Sequence, residues 1–370
     1  MNWGTDMNIA KKVTWLELFY DLLFVAAVSK ATHVLLHADH GTISLEYIIK
    51  FILIFIPIWW AWVGQTLFNN RYGQDVFTHR IYMILQLFFV LIMTFSLSTD
   101  FDRYYVPFFI GYIGSRVLTA IQYLAIQKGE VSHRAATARY LGTRFWIGIV
   151  ISSASLFFDS WVRYLILYAG IAIDVLLPVI GRRFLVHTPI NTHHLLERFA
   201  LFTLILLGEL VVSTLAVLQN SNGTWDSILF AALAFILVIG IWWQYFENIE
   251  RKVDKALQTA GQTIIYGHLF VYLSLSTIAA SIQLLFLEEL DYPFILTMVF
   301  LSVLLYFVST TIIFHRYRHK HLQLRPIHLA LFLGILGGFF VIDLFVVVPN
   351  YVIIAEMALF FLVYARLATR

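Results

Sequence analysis

Long apolar runs follow one another along almost the whole chain, separated by short polar connections. Twelve of them have the ~17–25 residues that a helix needs to cross a bilayer, at 13–36, 46–68, 79–99, 104–126, 137–157, 161–180, 196–218, 226–246, 263–285, 293–314, 326–346 and 351–367. A barrel strand would alternate apolar and polar positions. Stretches such as Phe199 to Leu207 do not. Inside a bilayer the backbone must satisfy its own hydrogen bonds, so the runs predict helices. The expected fold class is an all-α polytopic membrane protein of about twelve transmembrane helices.

Composition agrees: 60% of the 370 residues are hydrophobic and 17% aromatic. Only 13% are charged, about half the share in soluble domains (~25%). No polar stretch is long enough for a separate soluble domain. Cysteine is absent, which excludes disulfides, thiolate metal sites and cysteine nucleophiles. The net charge is only +3, so a nucleic-acid partner is not expected.

Charge placement predicts topology. Lys11, Lys12, Arg71, Arg182, Arg183, Arg316, Arg318 and most other basic residues fall in alternate connections, whereas Asp100, Asp102, Asp226, Glu288 and Asp291 gather in the others. The positive-inside rule then puts both termini in the cytoplasm of a protein in the plasma membrane. Expected partners are the bilayer itself, anionic lipids at the basic cytoplasmic loops, and a small solute or ion.

The chain also echoes itself. Glu17 opens the first run and Glu197 the seventh; Trp59-Trp60 ends the second and Trp242-Trp243 the eighth; Tyr82 opens the third and Tyr266 the ninth. The reading is two six-helix halves, 1–187 and 188–370. An even number of spans gives the halves the same orientation, as in parallel-repeat transporters, where a site forms near the midplane.

Ionisable residues inside the runs are the candidate chemistry, since each costs at least ~2.5 kcal/mol at a span centre by insertion scales. Glu17 and Asp21 are four apart and share one helix face. At 1.5 Å per residue they lie ~6 and ~12 Å from the start of the first run. Arg116, Asp174, Glu209 and His268 stand inside later runs. Arg116 needs a counter-charge, for which Asp21 or Glu209 are candidates, and Gly111, Gly114 and Ser115 would admit a closely packed helix beside it. Glu17 also fits a helix cap or interface residue, while Asp21 has no echo in the second half and is the stronger functional candidate.

Trp59 and Trp60, with Trp62, Asn69 and Asn70, are expected to line a cavity, and Trp242 and Trp243 its second-half counterpart; interfacial anchoring is the alternative. His33, His37 and His40 form a weak candidate metal set. The run His315 to His321 has similar spacing but is too basic for a metal and better suits lipid headgroups. Phosphate-binding loops, nucleophile elbows, zinc-protease helices and dinucleotide fingerprints are absent from the sequence, so no cofactor is expected. Gly334, Gly337 and Gly338 suggest close helix packing or a hinge.

The segment Val13-Thr-Trp-Leu-Glu-Leu-Phe-Tyr-Asp-Leu-Leu-Phe-Val-Ala-Ala27, together with Pro57-Ile-Trp-Trp-Ala-Trp62, His194-Leu-Leu-Glu-Arg-Phe199, Gly208-Glu209 and Trp242-Trp243-Gln-Tyr-Phe246, resembles the low temperature requirement protein A family of bacterial membrane proteins. The likeness runs over essentially the whole chain. It implies a membrane protein and carries no substrate or reaction. Where the family motif has Phe-Phe-Asp, this chain has Phe19-Tyr20-Asp21. The leading functional expectation is a secondary transporter, with proton coupling through Asp21 or Glu209; a membrane enzyme or lipid-handling protein and an ion channel are the alternatives.

Overall fold

The computed structural model describes residues 11–221, 223–319, 322 and 325–368. Part of the His315 to His321 run, and Asn222 of the Asn222-Gly-Thr224 sequence, lie outside the described residues. The helices are α1 (Trp15–His33), α2 (Leu45–Tyr72), α3 (Phe77–Phe95), α4 (Phe101–Ile126), α5 (Ser132–Ala154), α6 (Ser160–Ile180), the short α7 (Arg182–Leu185), α8 (Thr192–Asn220), α9 (Trp225–Glu247), α10 (Gln262–Leu287), α11 (Tyr292–Tyr317), α12 (Pro326–Phe345) and α13 (Asn350–Ala368). Among the described residues eleven helices are long and apolar enough to cross a membrane. Helix α13 coincides with the twelfth run. The protein is an all-α, multi-pass membrane protein.

Local sequence explains the helix ends. Asp100 caps α4 by accepting from the Arg103 N–H at 3.1 Å, and Thr224 caps α9 through the Ser227 N–H at 3.4 Å. Prolines begin α11 and α12, where a missing N–H costs nothing. Between α1 and α2 the strands β1 (Ala38–Asp39) and β2 (Thr42–Ile43) form a hairpin. Its two-residue turn puts His40 and Gly41 at φ 46° and 77°, the left-handed pair that such a turn demands.

The chain divides into two compact units. The first comprises residues up to Ala27, Ile56–Leu201 and Lys255–Gln262. In it α3 packs on α4, α4 on α5 and α5 on α6. Glycines set the close approaches: a Cβ on Gly111 would strike the Met93 backbone, and one on Gly170 would strike the Gly148 carbonyl at 2.6 Å. The second unit comprises Val28–Phe55, Phe202–Asp254 and Thr263–Arg370, with α9 against α13 and α12 against α11 and α13. Around Gly334, Gly337 and Gly338 there is nothing within 4 Å of an added Cβ, so these glycines do not make the expected close packing. Gly337 instead borders an apolar cavity of about 320 Å³ with Phe300, Leu336 and Phe340. Large apolar side chains such as Leu22, Phe88, Leu91, Val150 and Leu301 are exposed on the long helices, as lipid contact requires.

Candidate functional site

In the first unit Glu17 and Asp21 on α1 face His194 and Arg198 on α8. Each helix carries its two groups four residues apart, so both pairs lie on single faces one turn apart. They meet in register. His194 Nε2 lies 3.4 Å from Glu17 Oε1, and Arg198 Nη2 lies 2.8 Å from Asp21 Oδ1. All four side chains are buried.

The two carboxylates are bonded very differently. Glu17 Oε2 accepts from the Thr14 N–H at 2.9 Å and the Thr14 hydroxyl at 3.1 Å, while Thr14 Oγ1 accepts from the Glu17 N–H at 3.3 Å. This is a capping box at the start of α1. Its other oxygen accepts from Asn69 Nδ2 at 3.1 Å. Asp21 Oδ1 accepts from Arg198 and from the Trp62 indole N–H at 2.7 Å, but Asp21 Oδ2 and Arg198 Nε and Nη1 have no hydrogen-bond partner. The Arg198 guanidinium stands 5.7 Å from the Trp62 ring centre. Buried polar atoms are nearly always bonded, so the open valences on both members of this ion pair make it one place where a further group can bind, a feature it shares with the pair of Arg116 and Asp174.

Behind the acids runs a chain of buried amides, one line of which donates step by step toward Glu17, while Gln65 also donates back to Gln122 at 3.4 Å. Gln86 on α3 donates to Gln65 Oε1 at 2.8 Å, Gln65 donates to Asn69 Oδ1 at 2.7 Å, and Asn69 donates to Glu17. Gln122 on α4 donates to Gln65 at 3.1 Å, and Gln86 also donates to Thr119 at 2.9 Å. Aligned amides polarise one another toward the carboxylate. At the other end of the ladder, Asn70 Oδ1 accepts from the Asn191 N–H at 2.9 Å. That fixes the amide, so Asn70 Nδ2 faces the Asn191 carbonyl and His194 Nδ1 at 3.2 Å. His194 Nδ1 therefore accepts, which leaves the proton on Nε2, 3.4 Å from Glu17 Oε1 but without a hydrogen-bond partner. Lys11 completes this end, its ammonium donating to the Asn69 carbonyl and, at 3.0 Å, to the Gly73 carbonyl at the end of α2.

A second buried pair joins α4 to α6: Arg116 Nε donates to Asp174 Oδ2 at 2.6 Å. The guanidinium lies 4.6 Å from the Phe145 ring centre and 5.6 Å from that of Trp60. Its Nη1 sits against Gly64, where any Cβ would collide with it, and neither terminal nitrogen has a hydrogen-bond partner. Helix α2 serves both pairs, with Trp60 and Gly64 at Arg116 and Trp62 at Asp21. Every residue from 57 to 72 is buried.

The structure brings Glu17, Asp21, Arg116, Asp174, Trp59 and Trp60 into the first unit. It corrects the partner of Arg116, which is Asp174 and not Asp21 or Glu209; Gly111 and Gly114 admit Met93 and Phe89 of α3 rather than a helix bearing a counter-charge. Glu209 and His268 lie in the second unit. Glu209 accepts from Ser29 at 3.3 Å and is 3.9 Å from His33. His268 bonds the Ile264 carbonyl at 2.6 Å and Tyr245 at 2.8 Å. Trp242 and Trp243 are 46% and 43% exposed, against 0% and 1% for Trp59 and Trp60, so they line no buried cavity. His37 stacks on Tyr47 and His40 occupies the hairpin turn beside Asp39; among the described residues no group of three or more His, Asp or Glu is placed to hold a metal ion.

Arg198 is the group that reading the sequence missed, because Glu197 beside it offers a nearer acid. Glu197 is in fact 4.0 Å from His193 on the half-exposed side of α8. The usable signal was the spacing: His194 and Arg198 repeat the four-residue interval of Glu17 and Asp21.

The fold and site thus define a multi-pass membrane protein with a buried, incompletely bonded acid–base ladder. The chain belongs to the bacterial low temperature requirement A protein (LtrA) family, whose model matches residues 12–366. It is also similar to the uncharacterized protein RA0937 of Rhizobium meliloti (strain 1021), 26% identical over 273 residues. That match covers 70% of this chain and 65% of the relative's length.

Proposed function

We propose that the protein is a secondary transporter that moves a small anion together with a proton, with Asp21 and Arg198 as the switch. The observation that carries this reading is the open valence on both sides of their buried ion pair. Protonating Asp21 turns an acceptor into a neutral acid and releases the Arg198 guanidinium to an anionic ligand. Loss of the proton restores the pair and expels the ligand. One proton and one negative charge then cross together, which avoids the cost of an uncompensated charge in a dry site. Trp62 would hold the carboxyl and offer its ring face to the guanidinium throughout.

The echoes between residues 1–187 and 188–370 support two parallel repeats, and the distribution of Lys and Arg supports cytoplasmic termini in the plasma membrane. The test is flux into proteoliposomes across a panel of small monovalent anions with an imposed pH gradient. Gradient-driven uptake of at least one anion, abolished in Asp21→Asn and Arg198→Gln, is expected. Absence of gradient-driven uptake across the panel, or uptake unaltered in both variants, overturns the proposal. Passive current insensitive to the pH gradient would mark a channel instead.

A further inference from the structure

Helix α5 is read as spanning the bilayer, yet one of its faces is polar. Ser132, Ala135, Ala136, Arg139, Tyr140 and Thr143 recur at helical spacing along a groove of about 680 Å³, which Lys128 and Arg144 also border. Alanines keep the floor low. Tyr140 and Phe184, stacked with ring centres 4.6 Å apart, form one wall.

Three cations, Lys128, Arg139 and Arg144, line this groove without an ion pair to any described residue. The nearby acid is already taken, since Glu130 is held by Arg134 at 2.5 Å. Arg139 and Arg144 are exposed, and counted from Thr137, where the apolar run begins, they lie ~3 and ~10 Å along the helix. Arginine stems of that reach bring the guanidinium to the headgroup level. At that level an unpaired cation attracts the phosphate of an anionic lipid.

We propose that this groove binds the phosphate of an anionic phospholipid in the leaflet it faces. The phosphodiester would sit among Lys128, Arg139 and Arg144, and the acyl chains would run beside the apolar surface of α5. A free phosphate shares the oxyanion chemistry but has no apolar part to use the depth of the site. The proposal is independent of the transport reading, because none of these residues belongs to the acid–base ladder.

The test is native mass spectrometry of the full chain exchanged into phosphatidylglycerol or phosphatidylcholine micelles. The expected result is selective retention of phosphatidylglycerol, unaffected by millimolar inorganic phosphate. A cation near an anionic lipid is worth roughly fivefold, so Lys128→Gln, Arg139→Gln and Arg144→Gln together should weaken retention about a hundredfold, and Arg139→Gln alone about fivefold. Arg182→Gln, outside the groove, should leave it unchanged. Helical circular dichroism identifies any variant that has lost its fold, and the single variant then decides. Equal retention of both lipids by the wild type, undiminished phosphatidylglycerol in the variants, or displacement by inorganic phosphate overturns the assignment.

Discussion

Glu17 and Asp21 stand one turn apart on the same face of α1, and their surroundings assign them different work. Glu17 has donors at both oxygens and anchors the start of its helix, whereas Asp21 keeps one oxygen without a partner beside an equally under-bonded Arg198. Thr14→Ala should cost about 1 kcal/mol of stability by removing the capping hydroxyl, read from denaturation in detergent, with transport retained. Arg198→Ala leaves a buried carboxylate uncompensated and should cost about 3–5 kcal/mol, the usual penalty for removing one partner of a buried pair. In the Asp21→Asn background the same change should cost clearly less, because the orphaned charge is gone. Additive losses in that double-mutant cycle would deny the pair its coupling. The pair was half legible: the acid is conspicuous in an apolar run, but its base lies 177 residues away, and only folding selects it over the adjacent Glu197.

At the scale of elements, α2 supports both ion pairs, and its sequence advertises the tryptophans and the Asn69-Asn70 pair but not Gly64. Gly64 leaves room for the Arg116 guanidinium, so Gly64→Ala should destabilise by about 1–3 kcal/mol, as overpacking of a tight core does. With Arg116→Leu the penalty should shrink, and a thermal unfolding series in detergent would show an unchanged penalty if the glycine served another purpose. The end of α2 is held by Lys11, which lies before the first span. Burial holds its ammonium below lysine's ordinary pKa. The unfolded chain then binds more protons than the folded one below that ordinary value, so stability should rise with pH through the alkaline window between the two. Lys11→Met should flatten that rise. Helix positions themselves were readable because a span needs a fixed length of apolar residues. The glycine roles were not, since Gly111 and Gly170 meet neighbouring helices while Gly334 and Gly338 meet nothing within 4 Å, a difference that depends wholly on what packs opposite.

For the whole molecule, apolar composition placed the chain in the bilayer and the length of each run placed the helices, because both follow from the thickness and dryness of the solvent. The same physics singled out Glu17, Asp21, Arg116, Asp174, Glu209 and His268 as anomalies, of which the last two lie in the second unit. If Asp21 takes up a proton as Arg198 takes up an anion, gradient-driven flux should vanish in Asp21→Asn while Thr14→Ala still transports, a contrast that liposome uptake would resolve. What the chain could not disclose is which charge answers which. Arg116 pairs with Asp174, Asp21 with Arg198 and Glu17 with His194, each between different helices. Hydrophobicity is a local property that accumulates along the sequence, so it determined class, spans and suspects. Ion pairing falls steeply with distance and needs both partners desolvated together, so only the packed helices decided the site.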